Sequence, residues 1–173
     1  MADAAILRED DRVELIEGEI IDMTPIGSRH ASVLNRLNEI MTAPARGKAI
    51  VSVQNPIVLD EHSEPQPDLM LLEPREDYYA DRHPRPRDVL LLVEVADSSA
   101  DYDRRVKIPL YATSGVAEVW LIDLQGEALE VYREPGAHGY KHVLRPDPDE
   151  PVRPERLTGL AIALGDIAPP SIA

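Results

Sequence analysis

The chain has 173 residues, 18 of them basic and 32 acidic, for a net charge of −14, and it contains no cysteine. That length suits one domain with a sizeable core, and a hydrophobic content of 43% is globular rather than disordered. The absent cysteine excludes a disulfide framework, a Cys-based zinc site and a thiol nucleophile, and the acidity argues against coating nucleic acid or anionic membrane by bulk charge.

No basic start leads into an apolar run in MADAAILREDDRVEL, so a cytoplasmic location is expected. The longest apolar stretch, Val89 to Val95, falls far short of the roughly 20 residues a membrane helix needs. Residues 1–11 read as a frayed or helical lead-in. Two short β-rich runs, Val13 to Ile16 and Glu19 to Met23, flank Glu17-Gly18, where glycine supplies the positive φ of a tight hairpin. A loop follows, with Ser28 as a helix cap. His30, Val33, Leu34, Leu37, Ile40 and Met41 recur at helical spacing, and Pro44 and Gly47 end that helix. Ala49 to Val53 and Pro56 to Leu59 read as strands, and the turn His62 to Pro67 launches a strand over Asp68 to Leu72.

Residues 73–88, rich in proline and charge, read as an exposed loop with one helical turn. Val89-Leu-Leu-Leu-Val-Glu-Val95 shows no alternation, as expected of a central strand buried on both faces. Asp101 to Ser114 reads as a helix with Val106, Leu110 and Tyr111 on one face, with Pro109 either kinking it or marking its early turn and Gly115 stopping it. Glu118 to Asp123 is a buried strand, Ala128 to Arg133 and Tyr140 to Leu144 a closing hairpin, and Leu160 to Leu164 a last short strand. The expected fold is therefore α/β (or α+β), a single domain over 1–173. Its mixed β-sheet is flanked by helices, in the order helix-strand-strand-strand-helix-strand, with added N- and C-terminal β-hairpins.

Within this frame Glu94 is the residue that folding alone does not explain. A carboxylate inside Leu-Leu-Leu-Val-Glu-Val must be paired, bound to a metal or placed at the strand's wet end. Asp68, taken alone, is a turn aspartate after proline. Taken with Glu94, it sets two carboxylates at the ends of neighbouring strands, a conflict that a hard divalent cation relieves. Lys107, one of three lysines beside fifteen arginines, lies on the helix after the Glu94 strand, either as a solvated charge or as a positive group at the site. His30 could orient a phosphate or move a proton, Glu19 could add an acidic ligand, and Gln54 could position water. Each has a plain alternative, as a packed helix-start histidine, an outward hairpin residue and a turn amide. Asp103 reads as a helix cap, Tyr111 and Trp120 as core, and His62, His83, His138 and His142 as surface residues. No Gly-rich phosphate loop, Gly-x-Ser-x-Gly elbow or His-Glu-x-x-His is present.

The ordered set Glu14-Leu-Ile-Glu-Gly-Glu-Ile20, Met23-Thr-Pro25, His30, Gln54, Pro65-Gln-Pro-Asp68, Val93-Glu-Val95, Asp103, Lys107, Tyr111-Ala112, Gly115-Val116 and Glu118-Val-Trp-Leu-Ile-Asp123 carries a resemblance. It resembles the PD-(D/E)XK nuclease core, and more narrowly the Uma-two family of restriction-endonuclease-like proteins, over about residues 12–165. The resemblance implies a restriction-endonuclease-like core that hydrolyses DNA phosphodiester bonds. Asp68, Glu94 and the Val95 carbonyl would hold Mg²⁺ (or Mn²⁺), and Asp68, Glu94 and Lys107 would be catalytic. The superfamily's lysine two residues after the acid is Ala96 here, and the resemblance implies that its role has moved to Lys107. The expected partner is nucleic acid, met through Arg82, Arg85, Arg87, Arg104 and Arg105. No membrane is expected, and a homodimer is expected because two-fold pairs are the commonest closed assembly. The alternative is a catalytically silent nuclease fold that binds nucleic acid or protein.

Overall fold

The computed structural model describes residues 12–168, so the lead-in expected over 1–11 lies outside the described residues. Strands β1 (Val13–Ile16) and β2 (Glu19–Asp22) pair antiparallel as a separate two-stranded sheet. Glu17 and Gly18 both take positive φ, 50° and 85°, the twist a two-residue hairpin turn requires. Helix α1 (Ser28–Ala45) buries His30, Val33, Leu34, Leu37 and Met41, the predicted stripe, while Ile40 is half-buried. Ser28 is not its cap. Gly27 occupies the flanking position and no side chain caps the helix, and Pro44 lies inside the last turn rather than beyond it.

The main sheet has six strands in the order β3-β4-β5-β6-β7-β8, formed by Ile50–Val53, Leu69–Leu72, Val89–Ala96, Glu118–Asp123, Ala128–Gly136 and Gly139–Leu144. β5 and β6 run parallel and every other pair is antiparallel. The parallel pair needs a crossover. Helix α2 (Ala100–Tyr102), a π-helical turn over Asp103–Lys107 and helix α3 (Ile108–Ser114) provide it, and Gly115 closes α3 at φ 86°. The predicted core order is thus observed. The C-terminal hairpin is no appendage, since β7 and β8 extend the main sheet itself.

All eight residues of β5 are buried because both faces of the sheet are covered. One face carries Leu69, Leu71, Val93, Val95, Trp120 and Ile122, packed under α1 and the C-terminal segment. The other carries Met70, Leu92, Ala96, Val119 and Leu121, packed under Ile108 and Tyr111 of α3. Side chains of this size contribute about 1.5–3 kcal/mol each on burial.

Two expected strands are absent. Pro56 to Leu59 is an irregular extended loop, tied by Ile57 N–H to the Pro65 carbonyl and Leu59 N–H to the Ser63 carbonyl, with prolines interrupting any ladder. Leu160 to Leu164 reduces to one bridge between Ile162 and Val152, followed by helix α4 (Leu164–Ile167). The loop over 73–88 does hold one helical turn, Pro86–Asp88. No helix among the described residues is long and apolar enough to cross a membrane.

Candidate active site

Leu69 stands opposite Val93 in the antiparallel β4–β5 register, so one further step sets Asp68 across from Glu94 on the same face. Both line a cleft of about 320 Å³ at the carboxyl end of β5, together with Glu14, His30, Val95 and Lys107. In open α/β sheets, ligands collect at such strand ends. The N-terminal hairpin and the loop into α1 form one wall, and Ser99, Tyr102 and Asp103 form the other.

Each carboxylate is pinned through one oxygen. Asp68 Oδ2 accepts from His30 Nε2–H at 3.0 Å and from the Val95 N–H at 2.8 Å. Glu94 Oε1 accepts from the Tyr111 hydroxyl at 2.6 Å and from Lys107 Nζ at 3.4 Å. Asp68 Oδ1 and Glu94 Oε2 make no hydrogen bond among the described residues. Lys107 Nζ donates more closely to Glu14 Oε1, at 2.8 Å, and that oxygen also takes the Gln66 N–H at 2.8 Å.

Burial makes these charges interdependent. Glu94 is 3% exposed. Desolvation pushes its pKa up to about 8; Lys107 opposes the rise and Asp68 adds to it. Burial of Lys107 disfavours its charge, but Glu94 and Glu14 outweigh that and raise its pKa, so it stays an ammonium. Burial likewise opposes the His30 imidazolium, while the hydrogen bond to Asp68 and the nearby Val95 carbonyl prevail and raise it. His30 Nδ1 is buried with no partner among the described residues. Burial raises Asp103 as well, against the pull of Lys107 and the hydrogen bond from Ser99.

The donor set fits a hard divalent cation. Among the described residues no three His, Asp or Glu side chains are arranged to enclose a metal. Magnesium does not require that, because it binds through one or two carboxylates plus waters and phosphate oxygens. Among the described residues Asp68 and Glu94 each keep one oxygen without a protein partner, and both residues line one cleft.

The structure therefore brings Asp68, Glu94, Val95, Lys107 and His30 together. It does not bring Glu19, which is exposed on β2 and does not line the cleft. Gln54 also stays out; it follows β3 at φ 50° and gives its backbone N–H to the Asp68 carbonyl at 3.0 Å. Asp103 caps no helix N-terminus; it closes α2 and is a buried residue of the π turn. None of the five expected arginines lines the cleft. Arg82 is bound to Asp88, just before β5 begins, Arg104 to Asp123 and Glu130, and Arg105 to Asp101. Two site residues escaped the reading of the sequence. Glu14 opens the first stretch of the family resemblance but has no role assigned to it there, and Tyr111 is core, as expected, but for a hydroxyl aimed at Glu94. A tyrosine four residues after Lys107, on the same helical face, was the available signal.

A family model, Uma2, described as "Putative restriction endonuclease", matches residues 2–165. Among solved structures, a putative nuclease belonging to DUF820 from Anabaena variabilis matches with a TM-score of 0.73 at 17% identity. The match covers 95% of this chain and 93% of that one. The likeness is one of fold. No curated protein matches.

Proposed function

Since this chain belongs to the Uma2 family, we propose that it is a metal-dependent endonuclease that hydrolyses DNA phosphodiester bonds in the cytoplasm. Asp68 and Glu94, with the Val95 carbonyl beside them, would hold Mg²⁺ or Mn²⁺. Such a cation supplies Lewis-acid polarisation of the phosphate and a lowered pKa for its attacking water. The chain's own residues do the rest. His30 and the Val95 N–H fix the Asp68 carboxylate, and Tyr111 fixes Glu94. Lys107 provides a buried positive charge beside the two carboxylates, where it stabilises negative charge developing on the phosphoryl oxygens.

The observation that carries this reading is the pairing of Asp68 and Glu94 across adjacent strands on one cleft, each with one oxygen left unbonded among the described residues, beside the Lys107 ammonium. The test is plasmid and linear DNA with Mg²⁺ or Mn²⁺, using the parent, Glu94→Ala and Lys107→Ala. The parent is expected to cut and both variants to lose at least about 10²-fold, the scale of one deleted transition-state stabiliser. Equal cleavage by parent and variants sinks the site assignment. A silent binding module is the second reading, favoured by Ala96 at the superfamily's lysine position and by the ion pairs that occupy Lys107. It predicts nucleic-acid binding without cleavage that survives both substitutions.

A further inference from the structure

One ammonium serves two buried carboxylates in this cleft. Lys107 is 7% exposed, and its Nζ lies 2.8 Å from Glu14 Oε1 but 3.4 Å from Glu94 Oε1. Glu14 is 5% exposed, and its acceptor oxygen is fixed from a second side by the Gln66 N–H. It belongs to the two-stranded hairpin, outside the sheet that carries Asp68 and Glu94. Lys107 and a divalent cation are like charges competing for the same carboxylate, so whatever holds the ammonium away from Glu94 favours the cation.

We propose that Glu14 is the counter-anchor of Lys107, a positioning residue that draws the ammonium off Glu94 and thereby sets how tightly the Asp68–Glu94 pair holds a divalent cation. The proposal rests on the metal reading given above. Its content is a coupling between residues 14 and 107, and it differs from the simpler idea that Glu14 is itself a metal ligand. With Glu14 neutral, Lys107 has Glu94 as its remaining close partner, and cation affinity falls. With Lys107 neutral, nothing competes, and Glu14 acts on the cation only through its own charge.

The experiment is a double-mutant cycle on the full chain, with Mn²⁺ affinity measured by calorimetry for the parent, Glu14→Gln, Lys107→Met and the double variant. Thermal melts confirm that each is folded. Glu14→Gln is expected to weaken Mn²⁺ about 3- to 10-fold in the parent and under about 2-fold in Lys107→Met, which itself binds Mn²⁺ more tightly than the parent. Glutamine keeps an oxygen for the Gln66 N–H, so the hairpin contact survives. Should Glu14→Gln unfold the chain, Lys107→Met alone decides, because failure to tighten Mn²⁺ removes the competition. Equal weakening by Glu14→Gln in both backgrounds overturns the proposal in favour of direct ligation. A parent that binds no Mn²⁺ overturns both this and the metal reading. A parent that shows the predicted cycle yet cuts no DNA overturns the nuclease reading alone.

Discussion

At the scale of single residues, Glu94 couples the site to the stability of the fold. Its pKa in the folded chain is pushed up from an ordinary 4.5 to about 8, because burial disfavours the carboxylate. Between those values the folded state binds more protons than the unfolded one, so stability falls as pH rises. The metal-free protein should therefore melt at a lower temperature at pH 8 than at pH 6, and Glu94→Gln should flatten that slope. A melting temperature that rises over this window in the parent, or an unchanged slope in the variant, would contradict the assignment. A divalent cation displaces the proton, so its stabilising effect should be larger at pH 8 than at pH 6.

The crossover between β5 and β6 is the element that aims Lys107. Ile108 N–H bonds the Asp103 carbonyl five residues back, a π turn rather than an α turn. Pro109 gives the physical reason: it has no N–H to offer the preceding turn, and its ring crowds the carbonyl four residues earlier. Widening the turn removes that clash and leaves Lys107 buried on the Glu94 side, with Val106 only half-buried. Pro109→Ala should allow an ordinary α turn and rotate residue 107 relative to residue 111. Cleavage is expected to fall about 10²-fold with the melting temperature held or raised, the cost of displacing a group by about 1 Å. Unchanged cleavage would mean that the π turn is incidental. Pro109 is legible in the sequence as a kink or an early-turn proline, and it does lie in the first turn of α3, but the π turn before it is not legible, because periodicity alone puts Val106 on the inner face. The same limit applies elsewhere. β5 and α1 announced themselves through unbroken or 3.6-periodic apolar runs. Pro56 to Leu59 has strand composition but no partner strand, and only the fold decides that. Glu14 meets Lys107 across 93 positions of sequence, and no local pattern records such a contact.

On the scale of the whole molecule, charge decides how substrate is met. The chain carries −14, and the arginines expected to flank the cleft do not line it, with Arg82, Arg104 and Arg105 held in ion pairs. Few phosphates can be neutralised directly, so DNA affinity should be weak. Its logarithm should fall with log salt at a shallow slope of about −1 to −2, against the roughly −10 of a protein built to grip the backbone. A steep slope in a binding titration would show a basic track elsewhere on the surface. Divalent ions should raise affinity at constant ionic strength, because the acidic cleft cannot take a phosphate without them.

The hairpin that carries Glu14 also fixes when the site comes into being. Its two strands are close in sequence and are synthesised before residues 62–66, on which they dock through Leu15, Gly18 and Gln66. Lys107 follows some forty residues after that docking segment. At about 5–20 residues per second, several seconds separate a finished hairpin from a finished cleft. The nascent chain thus holds its acidic half early and without its ammonium. Biosynthesis itself delays the moment at which the cleft is complete.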